Sequence, residues 1–250
     1  MFSPTDPVEL LVGDAPTIDE ALCGFTFKIS PTSFFQVNKP ATEVLYGMVR
    51  DWALGDGGNT SAKTEKRRVL LDLCCGTGTI GVCMSSGGFD KIVGIDIVAD
   101  AVADARVNAA RNGVSNAEYT AGDVGKVVPR LLESLQIETP HGQELELIAV
   151  LDPPRSGVPK SVVKAIRACP AISRVVYVSC DLKQAQGNLV DLMRSPTGQL
   201  PGVAFTMHQA AVVDMFPHTR HYETVMEFRR PLAPSSSTEE SEKEAEKEDE

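Results

Sequence analysis

The chain of 250 residues has no CxxC pair among its six cysteines and no histidine at zinc-ligand spacing. It also lacks any apolar run near the roughly 20 residues that a membrane-spanning helix requires. Its first residues show neither a secretory leader nor an Arg-rich amphipathic stretch. These absences argue against a zinc module, a disulfide scaffold and a helical membrane protein. They lead us to expect an intracellular protein, cytoplasmic or nuclear, that holds no metal, does not associate with membranes, and keeps reduced thiols at positions 23, 74, 75, 83, 169 and 180. No internal repeat is present, and the oligomeric state is left open.

A hydrophobic content of 42% over this length suffices for one full core. The formal net charge of -10 is unevenly placed. After Arg230 the chain has eight acidic residues against two lysines and no large apolar residue beyond Leu232, so the composition predicts a disordered acidic tail over residues 231–250. The remainder is only mildly acidic. That balance disfavours an affinity built mainly on phosphate contacts, although Lys63, Lys66, Arg67 and Arg68 form a local basic cluster. The reading divides the chain into a lead-in segment at 1–66, a catalytic domain at 67–230 and the tail.

From Val69 onward short apolar runs alternate with helical stretches: VLLDLCC, KIVGIDI, AEYTAGD, LELIAVLDPP and RVVYVSC, each followed by a glycine, proline or polar break. This is the βαβ pattern of a parallel sheet. Between the second and third runs, Val98, Val102, Ala105, Val107 and Ala109 recur at roughly helical spacing before Asn112-Gly113, which predicts a helix with a glycine stop. The runs AFTMHQAAVVDMF and HYETVMEF are joined too closely for a crossover and predict an antiparallel hairpin. The expected fold class is α/β, a Rossmann-like, mostly parallel seven-stranded sheet with an antiparallel last strand. The polar inserts Gly55 to Lys66 and Glu133 to Glu144 are expected to be surface loops.

The glycines of Asp72-Leu-Cys-Cys-Gly-Thr-Gly-Thr-Ile-Gly81, at the end of the first run, let the backbone turn tightly against a nucleotide-like ligand. Asp96 ends the second run twenty positions after Gly76, where a carboxylate can accept from both ribose hydroxyls. A glycine-rich turn alone would fit many folds; with Asp96 and the strand order, the adenosine reading is preferred. Asp152-Pro-Pro-Arg155 ends the fourth run, with Arg155 where an amine-methylating site would carry an aromatic residue. Cys180 closes the fifth run, at the edge where open α/β sheets bind ligands, and suits a reactive thiolate. Glu223 begins the last strand and can face it. In isolation, Cys180 reads as an inert thiol and Glu223 as a surface carboxylate, while Cys74, Cys75, Cys83 and Cys169 read as packing residues. His218 and His221 suit local or RNA-facing contacts better than metal ligation. Ser33-Phe-Phe-Gln-Val-Asn38 offers aromatic faces and two amides for a base edge or an amino-acid group, though alone it would pass for a buried strand.

Taken in order, SPTSFFQVN, DLCCGTGTIG, DPPRSG, VSC and FPHTRHYE resemble the RNA uracil-5-methyltransferase family over roughly Gly24 to Arg230. ARVNA, GNLVDL and DMFPHT are most similar to its eukaryotic tRNA branch. The resemblance implies a catalytic domain that uses S-adenosyl-L-methionine to methylate carbon 5 of a uridine in tRNA, position 54 of the T-loop. It implies Cys180 as nucleophile and Glu223 as base. Gln36, Cys74, Thr79, Asp96 and Asp152 fall at cofactor-contacting positions, with Gly76 and Gly78 shaping the loop. Phe34 and Phe35 become candidate stacking partners for an extruded base.

Two positions depart from the family pattern. Asp96 replaces the usual glutamate, and Asp181-Leu182 replaces Asn-Pro after the cysteine. A carboxylate at Asp181 is expected to raise the Cys180 thiol pKa and reduce activity. The rival reading is therefore a tRNA-binding or folding factor that keeps the fold without turnover. Cytosine-5 methylation is disfavoured because Ser179, not proline, precedes the cysteine. Upstream RNA-binding segments of the family's full-length members lead us to expect a fragment.

Overall fold

The structure, a computed structural model, describes residues 16–31, 33–55 and 66–231. Residues 232–250, Lys63 and most of the insert after Gly55 lie outside the described residues. Strands β3 (Lys66–Leu73), β4 (Lys91–Asp96), β5 (Ala117–Ala121), β6 (Glu144–Leu151), β7 (Ile172–Ser179), β8 (Thr206–Val213) and β9 (Glu223–Arg229) form one sheet in the order β5-β4-β3-β6-β7-β9-β8. The strands β3 to β7 are parallel, and β9 enters antiparallel between β7 and β8. The expected fold class and closing hairpin are both present.

The apolar runs are continuous because these strands are covered on both faces. On one face Leu71, Leu73, Leu147 and Val175 pack with α4 (Val124–Glu138), α5 (Lys160–Ala168) and α6 (Leu182–Met193). On the other, Leu70, Ile92, Ile148 and Val176 pack with α1 (Lys39–Leu54), α2 (Thr79–Met84) and α3 (Ala99–Arg111). β3 has β4 on one side and β6 on the other, so strand order reverses there and opens a crevice at the carboxyl ends of the strands.

Several expectations need correction. The lead-in segment contains a two-stranded antiparallel sheet, β1 (Ile18–Leu22) and β2 (Phe25–Ile29), turned at Cys23 and Gly24 with positive φ at both. The Glu133 to Glu144 insert is only partly a loop, because α4 continues to Glu138; its polar residues there belong to the outer face of an amphipathic helix. In α3 the buried positions are Val102, Ala105, Asn108 and Ala109, while Val98 and Val107 are exposed. The segment from Ser33 to Asn38 is irregular rather than a strand, since Asn38 caps α1 and Pro40 follows in its first turn. Finally, Lys66, Arg67 and Arg68 are at the sheet's opposite, amino-terminal edge, paired with Glu144, Glu138 and Glu146. That basic cluster is neutralised where it stands.

Candidate active site

The crevice is built where β3, β4, β6 and β7 end. After β3 the backbone leaves the sheet through Cys74, a non-glycine residue at φ 67°, whose amide donates to the Ile95 carbonyl (2.9 Å). The turn continues through Gly76 at φ 51° and Gly78 at φ 77°. A side chain at Gly78 would meet Ala105 Cβ at 2.9 Å and the Tyr119 ring at 3.0 Å, so glycine is required by both conformation and space.

Asp96, at the end of β4, accepts from the Gly76 amide through Oδ2 and from the Val98 amide through Oδ1, each at 2.9 Å. These bonds fix the carboxylate and leave each oxygen a further lone pair. Thr79 is held through Oγ1 by the hydroxyl of buried Tyr46 on α1 (3.2 Å), a partner that nothing in the sequence marked. Beneath the loop, Asp72 Oδ2 accepts from the Gly81 amide (2.9 Å) while Oδ1 is buried without a partner. Burial pushes the Asp72 carboxyl up to about 7, helped by the charges of Asp152 and Asp96. Burial likewise pushes the Cys74 thiol up to about 12, which leaves it a packing group in its protonated form.

The second half of the site comes from β6, β7 and β9. The β7–β9 register pairs Ser179 with Thr224, so the next rung sets Cys180 opposite Glu223. Glu223 is 4% exposed, and its Oε2 has no hydrogen-bond partner among the described residues. Burial, and then the charge of Asp152, pushes its carboxyl up to about 8. Asp152, where β6 ends, is itself pushed up to about 6 by burial. The half-buried Cys180 thiol is raised by burial first and then by the charge of Glu223; the Arg155 guanidinium opposes both. Arg155, which sequence reasoning noted only as a missing aromatic, is thus the cation of the thiol site.

Asp181 has a structural role that the sequence did not suggest. Its carboxylate caps α6, accepting from the Gln184 amide (3.2 Å) and from Gln184 Nε2 (2.8 Å), and these bonds hold its pKa below the usual carboxylate value. The charges that raise Cys180 are those of Glu223 and Asp152.

Gln36 is buried in the segment that ends at Asn38, whose Nδ2 donates to the Met215 carbonyl in the β8–β9 connection (3.1 Å). Phe35 packs against Phe27 with ring centroids 5.9 Å apart, whereas Phe34 is 74% exposed and free to stack. His221 lies edge-on to Phe216, and His218 has φ 65°. No group of three potential metal ligands occurs among the described residues.

A family model described as tRNA (Uracil-5-)-methyltransferase matches residues 21–230. The tRNA (uracil-5-)-methyltransferase homolog A of Mus musculus is 44% identical over 224 residues, covering 90% of this chain and 34% of that protein. Homolog B of Homo sapiens is 38% identical over 227 residues, covering 90% and 42%. The chain therefore spans well under half the length of either relative. Among solved structures, the tRNA (uracil-54, C5)-methyltransferase of Pyrococcus abyssi in complex with S-adenosyl-L-homocysteine is 25% identical. It aligns at a TM-score of 0.63 over 89% of this chain and 48% of that one. With the glycine turn, the carboxylate that follows it and the opposed cysteine and glutamate all inside the matched span, the chain belongs to the tRNA (uracil-5-)-methyltransferase family.

Proposed function

We propose that this chain carries the catalytic site of an S-adenosyl-L-methionine-dependent enzyme that methylates carbon 5 of uridine 54 in the T-loop of tRNA, through a covalent Cys180 adduct. The observation that carries the reading is the juxtaposition of Cys180 and Glu223 on facing ends of β7 and β9, beside Asp152 and Arg155.

The residues of the crevice fit the cofactor. Asp96 is fixed by the Gly76 and Val98 amides with a lone pair left on each oxygen for a diol, the Gly76–Gly78 turn admits close approach, and Ile97 and Val98, both exposed beside Asp96, offer an apolar face to a purine. Cys74, Thr79, Asp152 and Gln36 complete the contact set at the rim. When bound, S-adenosyl-L-methionine supplies an electrophilic methyl group to carbon 5.

The protein's own task is to make carbon 5 nucleophilic. Arg155 favours loss of the Cys180 proton. The thiolate then forms a bond to carbon 6 of the uracil, and the carbon 5–carbon 6 π electrons move through the ring to an enolate at oxygen 4. After carbon 5 has been methylated, Glu223 takes the proton from that carbon. The double bond re-forms as the carbon 6–sulfur bond breaks, and the electron pair returns to Cys180. Cys180 and Glu223 must both lose their protons in this cycle, so both elevated pKa values shape the acidic limb of the rate profile. A base in a folded T-loop must leave its stack, at about a few kcal/mol, and exposed Phe34 and Tyr222 are aromatic surfaces that can receive it.

The test is incubation with S-adenosyl-L-methionine and 5-fluorouridine-substituted tRNA, whose fluorine cannot be removed as a proton. A methyl-dependent covalent complex that maps to Cys180 and disappears in Cys180→Ala is expected. Binding of tRNA without any adduct would instead favour the non-catalytic binding factor or a requirement for an upstream domain of the kind the longer relatives carry.

A further inference from the structure

Helix α3 carries a polar stripe toward the amino-terminal hairpin. Asp104, Asn108 and Asn112 recur every four residues, so they lie one above another on a single side of the helix. Each grips a different point of the chain between Thr26 and Ser33. The Thr26 amide donates to Asn112 Oδ1 (2.9 Å), and Asn112 Nδ2 donates back to the Thr26 carbonyl (2.8 Å). The Lys28 amide donates to Asn108 Oδ1 (2.8 Å), and Asn108 Nδ2 donates back to the Lys28 carbonyl (3.3 Å). Ser33 Oγ donates to Asp104 Oδ2 (3.0 Å). The two asparagines thus satisfy the edge of β2 that β1 leaves unpaired, as a third strand would.

Asn108 differs from its neighbours on the stripe. It is fully buried, and Nδ2 makes a second bond to the Thr77 carbonyl (3.1 Å), the peptide between Gly76 and Gly78. Both of its donors and its acceptor are therefore engaged. A single amide group bridges the hairpin and the turn that approaches the cofactor.

We propose that Asn108 is a positioning residue through which the β1–β2 hairpin and the cofactor turn are coupled, so that docking of the hairpin and occupancy of the crevice stabilise one another. The proposal rests on the cofactor reading given above. It follows from linkage: if the hairpin holds Thr77 in the binding-competent arrangement through Asn108, a ligand that selects that arrangement must hold the hairpin through the same bond. Asn112 serves as the internal control: it grips β2 with the same pair of bonds, its Nδ2 also donates to the Asn108 carbonyl (2.8 Å), and none of its side-chain hydrogen bonds reaches the turn.

The experiment uses the intact chain and S-adenosylhomocysteine, with calorimetry for affinity and amide hydrogen exchange for local opening. In the wild-type protein, saturating ligand should slow exchange in β2 as well as in the Cys75–Thr79 turn. Asn108→Ala leaves a buried carbonyl unsatisfied and should weaken binding about tenfold, with the ligand's protection of β2 abolished. Asn112→Ala should lower the melting temperature while binding stays within about twofold of wild type, since its bonds do not reach the turn. Equal losses of affinity in the two variants, or unchanged exchange in β2 of the wild-type protein at saturation, would overturn the coupling. The wild-type exchange result decides the matter even if Asn108→Ala fails to fold. Calorimetry that detects no binding to the wild-type protein removes the cofactor reading itself, and the coupling with it.

Discussion

Substitution of Glu223 by glutamine separates the stability cost of the site from its chemistry. In the folded protein the carboxyl is raised from its ordinary 4.5 to about 8. A carboxyl with a higher pKa folded than unfolded binds more protons in the folded state. Its contribution to stability is therefore complete below about pH 4.5 and is lost progressively until the pH passes about 8. At 1.36 kcal/mol per pH unit that interval corresponds to a ceiling of about 5 kcal/mol. Asp152 titrates in the same range and shares the cost, and ionisation draws water toward the unpartnered Oε2. About 2–3 kcal/mol is then expected for Glu223. The amide of Glu223→Gln never ionises, so the variant should match wild type near pH 5 and exceed it near pH 9. Spread over a domain of this size, the gain at pH 9 amounts to about 5–10 °C in melting temperature. Thermal denaturation of both proteins at half-unit steps from pH 5 to pH 9 measures it. A melting-temperature difference that stays constant across this range would refute the assignment of a buried, ionising carboxyl at the site.

Two further substitutions test the neighbouring elements. Asp181→Ala removes the α6 cap and should cost about 1 kcal/mol in denaturant unfolding. The pH dependence of Cys180 alkylation by iodoacetamide should remain as in wild type, whereas Arg155→Ala should move it to higher pH. An Asp181→Ala profile displaced to lower pH would restore the expectation that this carboxylate suppresses the thiol. Gly78→Ala forces a Cβ within 2.9 Å of Ala105 at φ 77°, and should destabilise the domain by about 1–3 kcal/mol and abolish detectable S-adenosylhomocysteine binding by calorimetry; tight binding would show that the turn can relax.

Much of this architecture was legible because parallel strands covered on both faces must be apolar along their length, and each such run ended at a glycine, proline or carboxylate. Asp96, Asp152 and Cys180 could thus be placed at one edge of the sheet from sequence order alone; the short connection before His221 paired the last two strands, and the expected sheet order set the strand of Glu223 beside β7. Hydrogen bonds distant in sequence left no such trace. Asn108 occupies a buried helical position where periodicity favoured Val107, because its amide is satisfied by backbone 80 residues away and by Thr77. The hairpin of β1 and β2 was missed because its strands are short and it relies on those asparagines and on Phe27 for its place. The capping role of Asp181 was missed for a related reason. A charge next to Cys180 in sequence points along α6 to Gln184, while the charges facing the thiol come from β6 and β9.

Six consecutive rungs, Arg174 to Ser179 against Thr224 to Arg229, lock β7 to β9. The facing of Cys180, one residue beyond the last rung, and Glu223, the proposed nucleophile and base, is consequently governed by the sheet lattice, because a slip of one residue would turn every side chain of β9 to the opposite face. The nine residues from Asp214 to Tyr222 have only to return the chain from β8, and beyond Met215 they lie outside that lattice. Exchanges between Phe216 and Tyr222 are therefore expected to leave the β7–β9 register, and with it the facing of Cys180 and Glu223, unchanged.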